Sequence, residues 1–140
     1  MKLDLTSLEK AIKALGDSLE VYGELKEGKS VSGNLLKTVK SGVIQNFEVA
    51  YELCWKFMRR WIDENVTPGL GDGATRKELY RLAAENGLLQ DVEEWFDYHK
   101  SRNITAHTYD EENVEKALVI SGKFHRSALD FFSRIEAHND

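Results

Sequence analysis

Apolar residues recur every three or four positions along most of the chain, which is the spacing of one face of an amphipathic helix. The first helix is predicted to begin at Thr6, whose hydroxyl forms a capping box with Glu9, and to end near Gly28. Its apolar stripe consists of Leu8, Ile12, Leu15, Leu19 and Tyr22.

A second and longer helix is predicted from about Leu35 to Glu64, with a kink or break allowed at Gly42 because glycine weakens a helix interior. Its stripe comprises Leu36, Val43, Phe47, Ala50, Cys54, Phe57 and Trp61. The aromatic run of this segment consists of Phe47, Tyr51, Trp55, Phe57 and Trp61. We interpret the run mainly as core, and its excess over one stripe indicates a second buried face such as a subunit interface.

Three more helices are predicted after the Pro/Gly-rich segment 67–74. Thr75 is placed to cap a short helix that Gly87 closes, Asp91 opens the next with a second capping-box pattern, and Asp110 caps the last. No segment alternates with period two, so the sequence predicts an all-α, up-and-down antiparallel bundle of four long helices and one short helix. The stripe of the last helix is Val114, Ala117 or Leu118, Ser121, Phe124, Ala128, Phe131 and Ile135.

Length and composition fit one soluble globular domain spanning residues 1–140, with 41% hydrophobic and 31% charged residues. The chain reaches charge and a helix cap within its first ten residues, so no signal peptide is expected. No run of about 18 apolar residues occurs, so no membrane contact is expected and the predicted location is cytoplasmic.

The net charge of −5 argues against an extended nucleic-acid surface. Any RNA or phosphate contact is therefore expected to be local, and the candidate residues are Lys56, Arg59, Arg60, Lys100 and Arg102.

Most other candidates for chemistry have simpler interpretations. Cys54 is the single cysteine, so it forms no internal disulfide, and we interpret it as a buried structural thiol. The alternating glycines of segment 69–73 follow no predicted strand and lack the lysine of a phosphate-binding loop. His125 and His138 have no partners at ligand spacing, so neither a metal nor another cofactor is expected.

The segment 101–113 joins the last two long helices and is rich in hydrogen-bonding groups, with Arg102, Asn103, His107 and Tyr109 within eight residues. Residues five apart on a continuous helix are rotated by about 140°, so Arg102 and His107 converge only if the helix ends near Thr105. Composition alone favours the simpler interpretation, in which these two side chains cap helix carbonyl groups.

At this joint the sequence resembles a known family. "RNITAHTY" is similar to the Arg-x4-His-x-Tyr motif of the HEPN superfamily (higher eukaryotes and prokaryotes nucleotide-binding domains), including the polar residue after the arginine. "SGVIQNFEVAYELCWKFMRRWI", residues 41–62, resembles the branch called nucleotidyltransferase substrate-binding proteins, which includes HepT-type toxins. The two blocks extend the resemblance over most of residues 41 to 120.

The resemblance implies a HEPN-like homodimer in which two copies of the motif meet across a cleft. Active members are metal-independent ribonucleases, and their usual partner is a minimal nucleotidyltransferase that transfers AMP to the motif tyrosine, here Tyr109. In such an enzyme His107 would serve as base or acid, Arg102 would bind phosphate, and Asn103 would position an imidazole or a phosphate oxygen. Two Arg102 side chains would then form a positive focus on an acidic protein.

Two functions remain open at this point. The chain is either an endoribonuclease toxin neutralised by its transferase partner, which the intact set of Arg102, Asn103 and His107 favours, or a non-catalytic subunit that presents nucleotide or substrate to the transferase, which the acidic net charge favours. A purely structural helical dimer would leave the composition of the joint unexplained.

Overall fold

A computed structural model describes residues 2–28, 31–105 and 110–140, with the backbone alone for residues 104 and 105. Within these ranges the regular structure is entirely helical, which confirms the predicted all-α class. No described helix is long and apolar enough to cross a bilayer. The helices are α1 (Thr6–Glu27), α2 (Gly33–Asn65), α3 (Arg76–Glu85), α4 (Val92–Thr105) and α5 (Glu111–Ala137).

Polar contacts between helix ends fix the directions of the long helices. Lys40 forms a 2.7 Å ion pair with Glu115, which joins the first half of α2 to the start of α5. Near the end of α2, the Trp61 indole donates to the backbone carbonyl of His138, which directly follows α5. The helices α2 and α5 therefore run parallel. Asn139 holds the backbone of Leu3 through two hydrogen bonds, so α1 runs opposite to α5. These contacts agree with the predicted up-and-down order.

All five helices contribute to the core, which is centred on the fully buried Phe124. Its ring makes edge-on contacts with Phe47, Trp95 and Tyr98 at centroid separations of 5.2, 5.6 and 5.2 Å. Such aromatic pairs add to the stabilisation from burial alone. The predicted stripes of α2 and α5 are buried here, apart from the half-buried Leu36 and Val114, which confirms the spacing argument.

Three predicted helix boundaries are confirmed by their hydrogen bonds. The Thr75 hydroxyl accepts from an amide in the first turn of α3, and Asp91 does the same for α4. Asp110 accepts from the amide of Glu112 at 3.1 Å and caps α5, which starts at Glu111. Gly87 closes α3 with a φ of 81°, a conformation that residues with a Cβ rarely adopt.

The capping box predicted at Thr6 is wrong, because α1 already includes Thr6 and Leu5 occupies the cap position. Asp4 instead accepts hydrogen bonds from the Thr6 amide and hydroxyl, at 3.0 and 2.6 Å. Asp4 thereby takes the Thr6 amide that the Glu9 carboxylate would bind in a capping box, and the Glu9 amide donates to the Leu5 carbonyl at 3.0 Å instead of to the Thr6 hydroxyl. The two hydrogen bonds from Thr6 lower the pKa of Asp4.

The break considered at Gly42 does not occur, because α2 continues through it from Gly33 to Asn65. The surplus aromatic residues of α2 also have a different explanation from the one inferred. Phe57 and Trp61 are buried within the subunit, and Trp55 is half-buried beneath Arg76. These rings therefore give no evidence of a subunit interface.

Candidate functional site

The site is centred on Arg102, which lies in the last turn of α4 with 26% of its side chain exposed. Its Nη1 is 3.1 Å from Glu48 Oε2, and its Nε is 3.4 Å from Glu52 Oε1. Glu48 and Glu52 are one turn apart on α2 and therefore lie on the same side of that helix. The pair positions the guanidinium against α2 from two neighbouring points.

The two carboxylates offset the charge of Arg102, an effect that the expected positive focus did not take into account. Both Glu48 and Glu52 are about one-third exposed, so their attraction for the guanidinium is only partly screened by water. The guanidinium has five N–H donors in a planar fork, so it can bind these carboxylates and still donate to a phosphate. A phosphate at this point must nevertheless compete with two carboxylates.

A second arginine reaches the same region from α3. Arg76 stacks on the Trp55 indole, with its Cζ 3.6 Å from the ring centroid, and its Nη1 donates to the Tyr51 hydroxyl at 3.2 Å. The Trp55 indole N–H donates to Glu52 Oε2 at 3.0 Å. Arg76 is thereby connected, through one ring and one carboxylate, to Arg102.

Tyr51 lies at the centre of a buried polar cluster between α2, α3 and α4. Its hydroxyl is hydrogen-bonded to that of Tyr80 and lies 3.0 Å from His99 Nδ1. The hydrogen-bonding capacity of the Tyr51 hydroxyl is filled when Arg76 and Tyr80 donate to its oxygen and it donates to a neutral His99. Burial, and then the charge of Arg76, lower the pKa of His99, which favours this neutral form. Burial raises the pKa of both tyrosines.

The described residues include only part of the predicted motif. Asn103 and Lys100 are exposed on α4 next to Arg102. His107 and Tyr109 lie outside the described residues, so the convergence of Arg102 and His107 stays a prediction. That convergence requires a helix end near Thr105, and the described part of α4 extends to Thr105.

The predicted phosphate contacts on α2 lie around two different rings. Lys56 Nζ and Arg59 Cζ lie 5.6 and 5.3 Å from the centroid of Trp55. Arg60 is 5.3 Å from the centroid of Phe57. Lys56 and Arg59 therefore share the ring that also carries Arg76, whereas Arg60 does not.

Sequence reasoning missed Glu48, Glu52, Arg76 and His99 as site residues. The spacing of the two glutamates by four positions was a usable signal, because it places two carboxylates on one side of a predicted helix. Nothing in the sequence indicated that Arg76 would lie over an α2 ring, since this depends on how α3 packs.

The remaining candidates agree with their structural interpretations. Cys54 is fully buried and burial raises the pKa of its thiol, so it is not a nucleophile. His125 packs against Gly16, and His138 Nδ1 lies 2.7 Å from the Arg134 carbonyl. Among the described residues, no group of three His, Cys, Asp or Glu side chains is arranged to hold a metal ion.

Comparison with known proteins identifies the family. The family "Nucleotidyltransferase substrate binding protein like" matches residues 3–137. The chain belongs to this family. It is 33% identical over 114 residues to a probable ribonuclease HepT from Haemophilus influenzae, an alignment that covers 81% of this chain and 78% of the relative.

Two solved structures resemble this member of the substrate-binding protein family. HI0074 from Haemophilus influenzae, reported to reveal the fold of a substrate binding domain of a nucleotidyltransferase, has a TM-score of 0.88 and 26% identity, covering 95% of this chain and 99% of that one. A protein from Thermus thermophilus has a TM-score of 0.63 and 27% identity, covering 86% of this chain and 98% of that one. The resemblance inferred from residues 41–62 and from the motif is thereby confirmed at the level of the family.

Proposed function

We propose that this member of the nucleotidyltransferase substrate-binding protein family is a metal-independent endoribonuclease that works beside a minimal nucleotidyltransferase. The observation that carries the proposal is the position of Arg102. It is a half-buried guanidinium held by two carboxylates in the last turn of α4, at the joint that carries the motif. The 33% identity to a protein named probable ribonuclease HepT supports the same conclusion.

The proposed reaction transfers a phosphodiester within the RNA strand. His107 removes the proton of a 2′-hydroxyl, whose oxygen attacks the adjacent phosphorus while the bond to the 5′-oxygen breaks. The leaving oxygen takes a proton from the second His107 of a homodimer, which leaves a 2′,3′-cyclic phosphate and a 5′-hydroxyl. Arg102 stabilises the charge that develops on the phosphorane oxygens, and Asn103 positions the imidazole or a phosphate oxygen.

The homodimer is part of this proposal, because one subunit supplies only one His107. Two exposed aliphatic residues next to the site support it. Val119 of α5 is 63% exposed and shares a surface cavity with Ser101, and Val49 of α2 is 49% exposed beside Glu48. We expect light scattering at micromolar concentration to give about twice the chain mass of 16.0 kDa. A monomer would contradict the shared site.

Cleavage is tested with purified protein and a labelled RNA. His107→Ala and Arg102→Ala should abolish cleavage, and Arg102→Lys should restore little because a point charge cannot bind two phosphate oxygens at once. Cleavage should persist in EDTA and leave cyclic phosphate ends. His138→Ala is the matched control, because the exposed His138 side chain is hydrogen-bonded only to the end of α5 among the described residues. This variant should cleave RNA as the wild type does.

We further propose that the transferase neutralises the nuclease by transferring AMP to Tyr109. The added phosphate would carry negative charge close to Arg102 and occupy the group that binds RNA. Co-expression with the transferase should raise the mass by one AMP or a small multiple. Tyr109→Phe should stay active and resist neutralisation, whereas Tyr22→Phe on α1 should be neutralised like the wild type. Modification at another residue would contradict the assignment.

A non-catalytic role is the second candidate, in which the chain presents nucleotide or substrate to the transferase. Two observations favour it: Glu48 and Glu52 offset the charge of Arg102, and HI0074 is reported as a substrate binding domain of a nucleotidyltransferase. The two functions differ in one measurement. Protein that cuts no RNA, and whose overexpression is harmless in cells without the transferase, would exclude the nuclease and favour the binding subunit.

A further inference from the structure

Five cations and two half-buried rings on α2, α3 and α4 form one surface, which we call the basic-aromatic face. Three of the cations surround Trp55, as described above, with Arg76 stacked most closely. The other two lie over Phe96, with Lys77 Nζ at 5.6 Å and Arg81 Cζ at 5.5 Å from its centroid. Arg76 and Lys77 are consecutive residues, so the start of α3 joins the two rings. The face comprises Trp55, Lys56, Arg59, Arg76, Lys77, Arg81 and Phe96.

The cations of this face differ from Arg102 in their partners. An aromatic ring attracts a cation without cancelling its charge, whereas the carboxylates beside Arg102 do cancel charge. Within the described ranges, no carboxylate oxygen lies within 4.0 Å of the charged nitrogens of Lys56, Arg76, Lys77 or Arg81. Arg59 alone has an acidic partner, at 3.8 Å. Positive charge is therefore more available here than at Arg102.

The rings also restrict the motion of the long side chains that lie over them. A lysine or arginine loses up to about 2 kcal/mol of rotamer entropy when it is fixed by a ligand. Side chains that are already held against a ring lose less of it, so they bind an anion at lower cost. Acidic groups are present at the margin, where Asp72 pairs with Arg59 and Glu78 lies in the first turn of α3. Among the described residues, neither Asp72 nor Glu78 forms an ion pair with the cations around Phe96.

The face is continuous with the candidate site. Trp55 is hydrogen-bonded to Glu52, which pairs with Arg102. His99 lies one turn before Arg102 on α4, and the charges of Arg76 and Lys77 contribute to lowering its pKa, after burial. The charges of the face therefore act on His99, one turn of α4 before Arg102.

We propose that the basic-aromatic face binds the phosphate backbone of single-stranded RNA and directs the strand to Arg102. The proposal deepens the proposed ribonuclease function, on which it rests for the fate of the strand. Cations of this kind contact phosphates at any sequence, while the flat guanidinium of Arg81 offers a stacking surface to an unpaired base. A duplex keeps its bases stacked on one another and offers only its phosphates. The face therefore favours single strands over duplexes.

Binding is measured by fluorescence anisotropy with a labelled 2′-O-methyl oligonucleotide of about twelve nucleotides, a length that matches common single-strand sites. The probe has no free 2′-hydroxyl, so the proposed reaction cannot cut it. The test variant is Lys77→Gln/Arg81→Gln, in which both residues are exposed. The control is Lys10→Gln/Lys26→Gln on α1, which removes the same charge and includes a cation 5.9 Å from the centroid of Tyr22.

Loss of two phosphate contacts should reduce the slope of log affinity against log salt by about 1.4, at about 0.7 per contact on a single strand. When the two proteins bind equally at 1 M salt, this difference in slope makes the variant bind roughly 25-fold more weakly than the wild type at 0.1 M salt. The control variant should bind within about twofold of the wild type, and a matched duplex should bind more weakly than the single strand. Thermal unfolding of both variants checks that the fold is intact.

An equal loss of affinity in the test and control variants would show that binding follows net charge alone and would overturn the proposal. Unchanged affinity of Lys77→Gln/Arg81→Gln, or a duplex bound as tightly as the single strand, would also overturn it. The proposed nuclease function is tested by a separate result. If the wild type binds the probe as expected but leaves ordinary RNA uncut, the face stands and the catalytic function is wrong.

Discussion

Replacing Tyr51 with phenylalanine tests whether the buried cluster between α2, α3 and α4 stabilises the fold. The change removes one hydroxyl, which contacts Tyr80, His99 and Arg76. The ring remains, together with its packing against Phe124 at 6.1 Å, so no cavity is formed. Any loss of stability therefore reports on the hydroxyl and not on the core.

The expected loss follows from the burial of the partners. Tyr51 and Tyr80 are both fully buried, so the Tyr80 hydroxyl loses a partner that water cannot replace, which costs about 1–3 kcal/mol. His99 and Arg76 are half-buried and can turn to water, so they add little. We expect the free energy of unfolding to fall by about 2 kcal/mol. For a chain of this size the melting temperature should fall by roughly 6–8 °C.

Urea unfolding of both proteins, fitted with a common m-value, measures the difference. Tyr22→Phe is the control, because no hydrogen bond of its hydroxyl occurs within the described part of the chain, and it should change stability by less than about 0.5 kcal/mol. In Tyr51→Phe/Tyr80→Phe neither hydroxyl is left unpaired, so the double change should cost less than the sum of the two single changes. A loss below about 0.5 kcal/mol for Tyr51→Phe, or strict additivity, would refute the reasoning.

Three further predictions concern single positions. The pKa of His99 is lowered in the fold, so stability should fall as the pH drops below about 6.5, and His99→Gln should reduce that fall in urea unfolding at several pH values. Gly42→Ala should raise the free energy of unfolding by about 0.5–1 kcal/mol, because no atom beyond the neighbouring backbone of α2 lies within 4 Å of the new Cβ and α2 is continuous there. Gly71→Ala should lower it by about 1–3 kcal/mol, because its Cβ would lie 2.8 Å from the Arg59 carbonyl oxygen. An equal effect of the two alanines would contradict the packing at Gly71.

The helices could be predicted because their signals are local. The three-and-four spacing and the caps at Thr75, Asp91 and Asp110 depend on neighbouring residues only, and the structure confirms them. The capping box at Thr6 failed because two carboxylates, those of Asp4 and Glu9, can accept from the Thr6 amide, and the choice depends on the path of the chain before the helix. The sequence left a break at Gly42 open, and α2 is continuous there because the contacts of a 33-residue helix outweigh about 1 kcal/mol of intrinsic preference.

The site could be predicted only where its residues are close in sequence. The motif string located Arg102, but its partners on α2 are about fifty positions away and depend on the register of α4 against α2. The surplus of aromatic residues on α2 was detected correctly, yet its cause was misread. Periodicity counts apolar positions and does not reveal that a cation from α3 will cover Trp55.

The short helix α3 is a structural part of the site and not only a connection between α2 and α4. Ten residues are too few for a stable isolated helix, so α3 depends on what its side chains contact. Two of those side chains, Arg76 and Tyr80, are hydrogen-bonded to Tyr51, which is itself hydrogen-bonded to His99. Arg76 also covers the ring that is bonded to Glu52. A change that detaches α3 would therefore remove the support of His99 and of a carboxylate beside Arg102 together. Its effect should appear in RNA cleavage as well as in stability, because Leu79, Tyr80 and Ala83 of α3 belong to the same buried core.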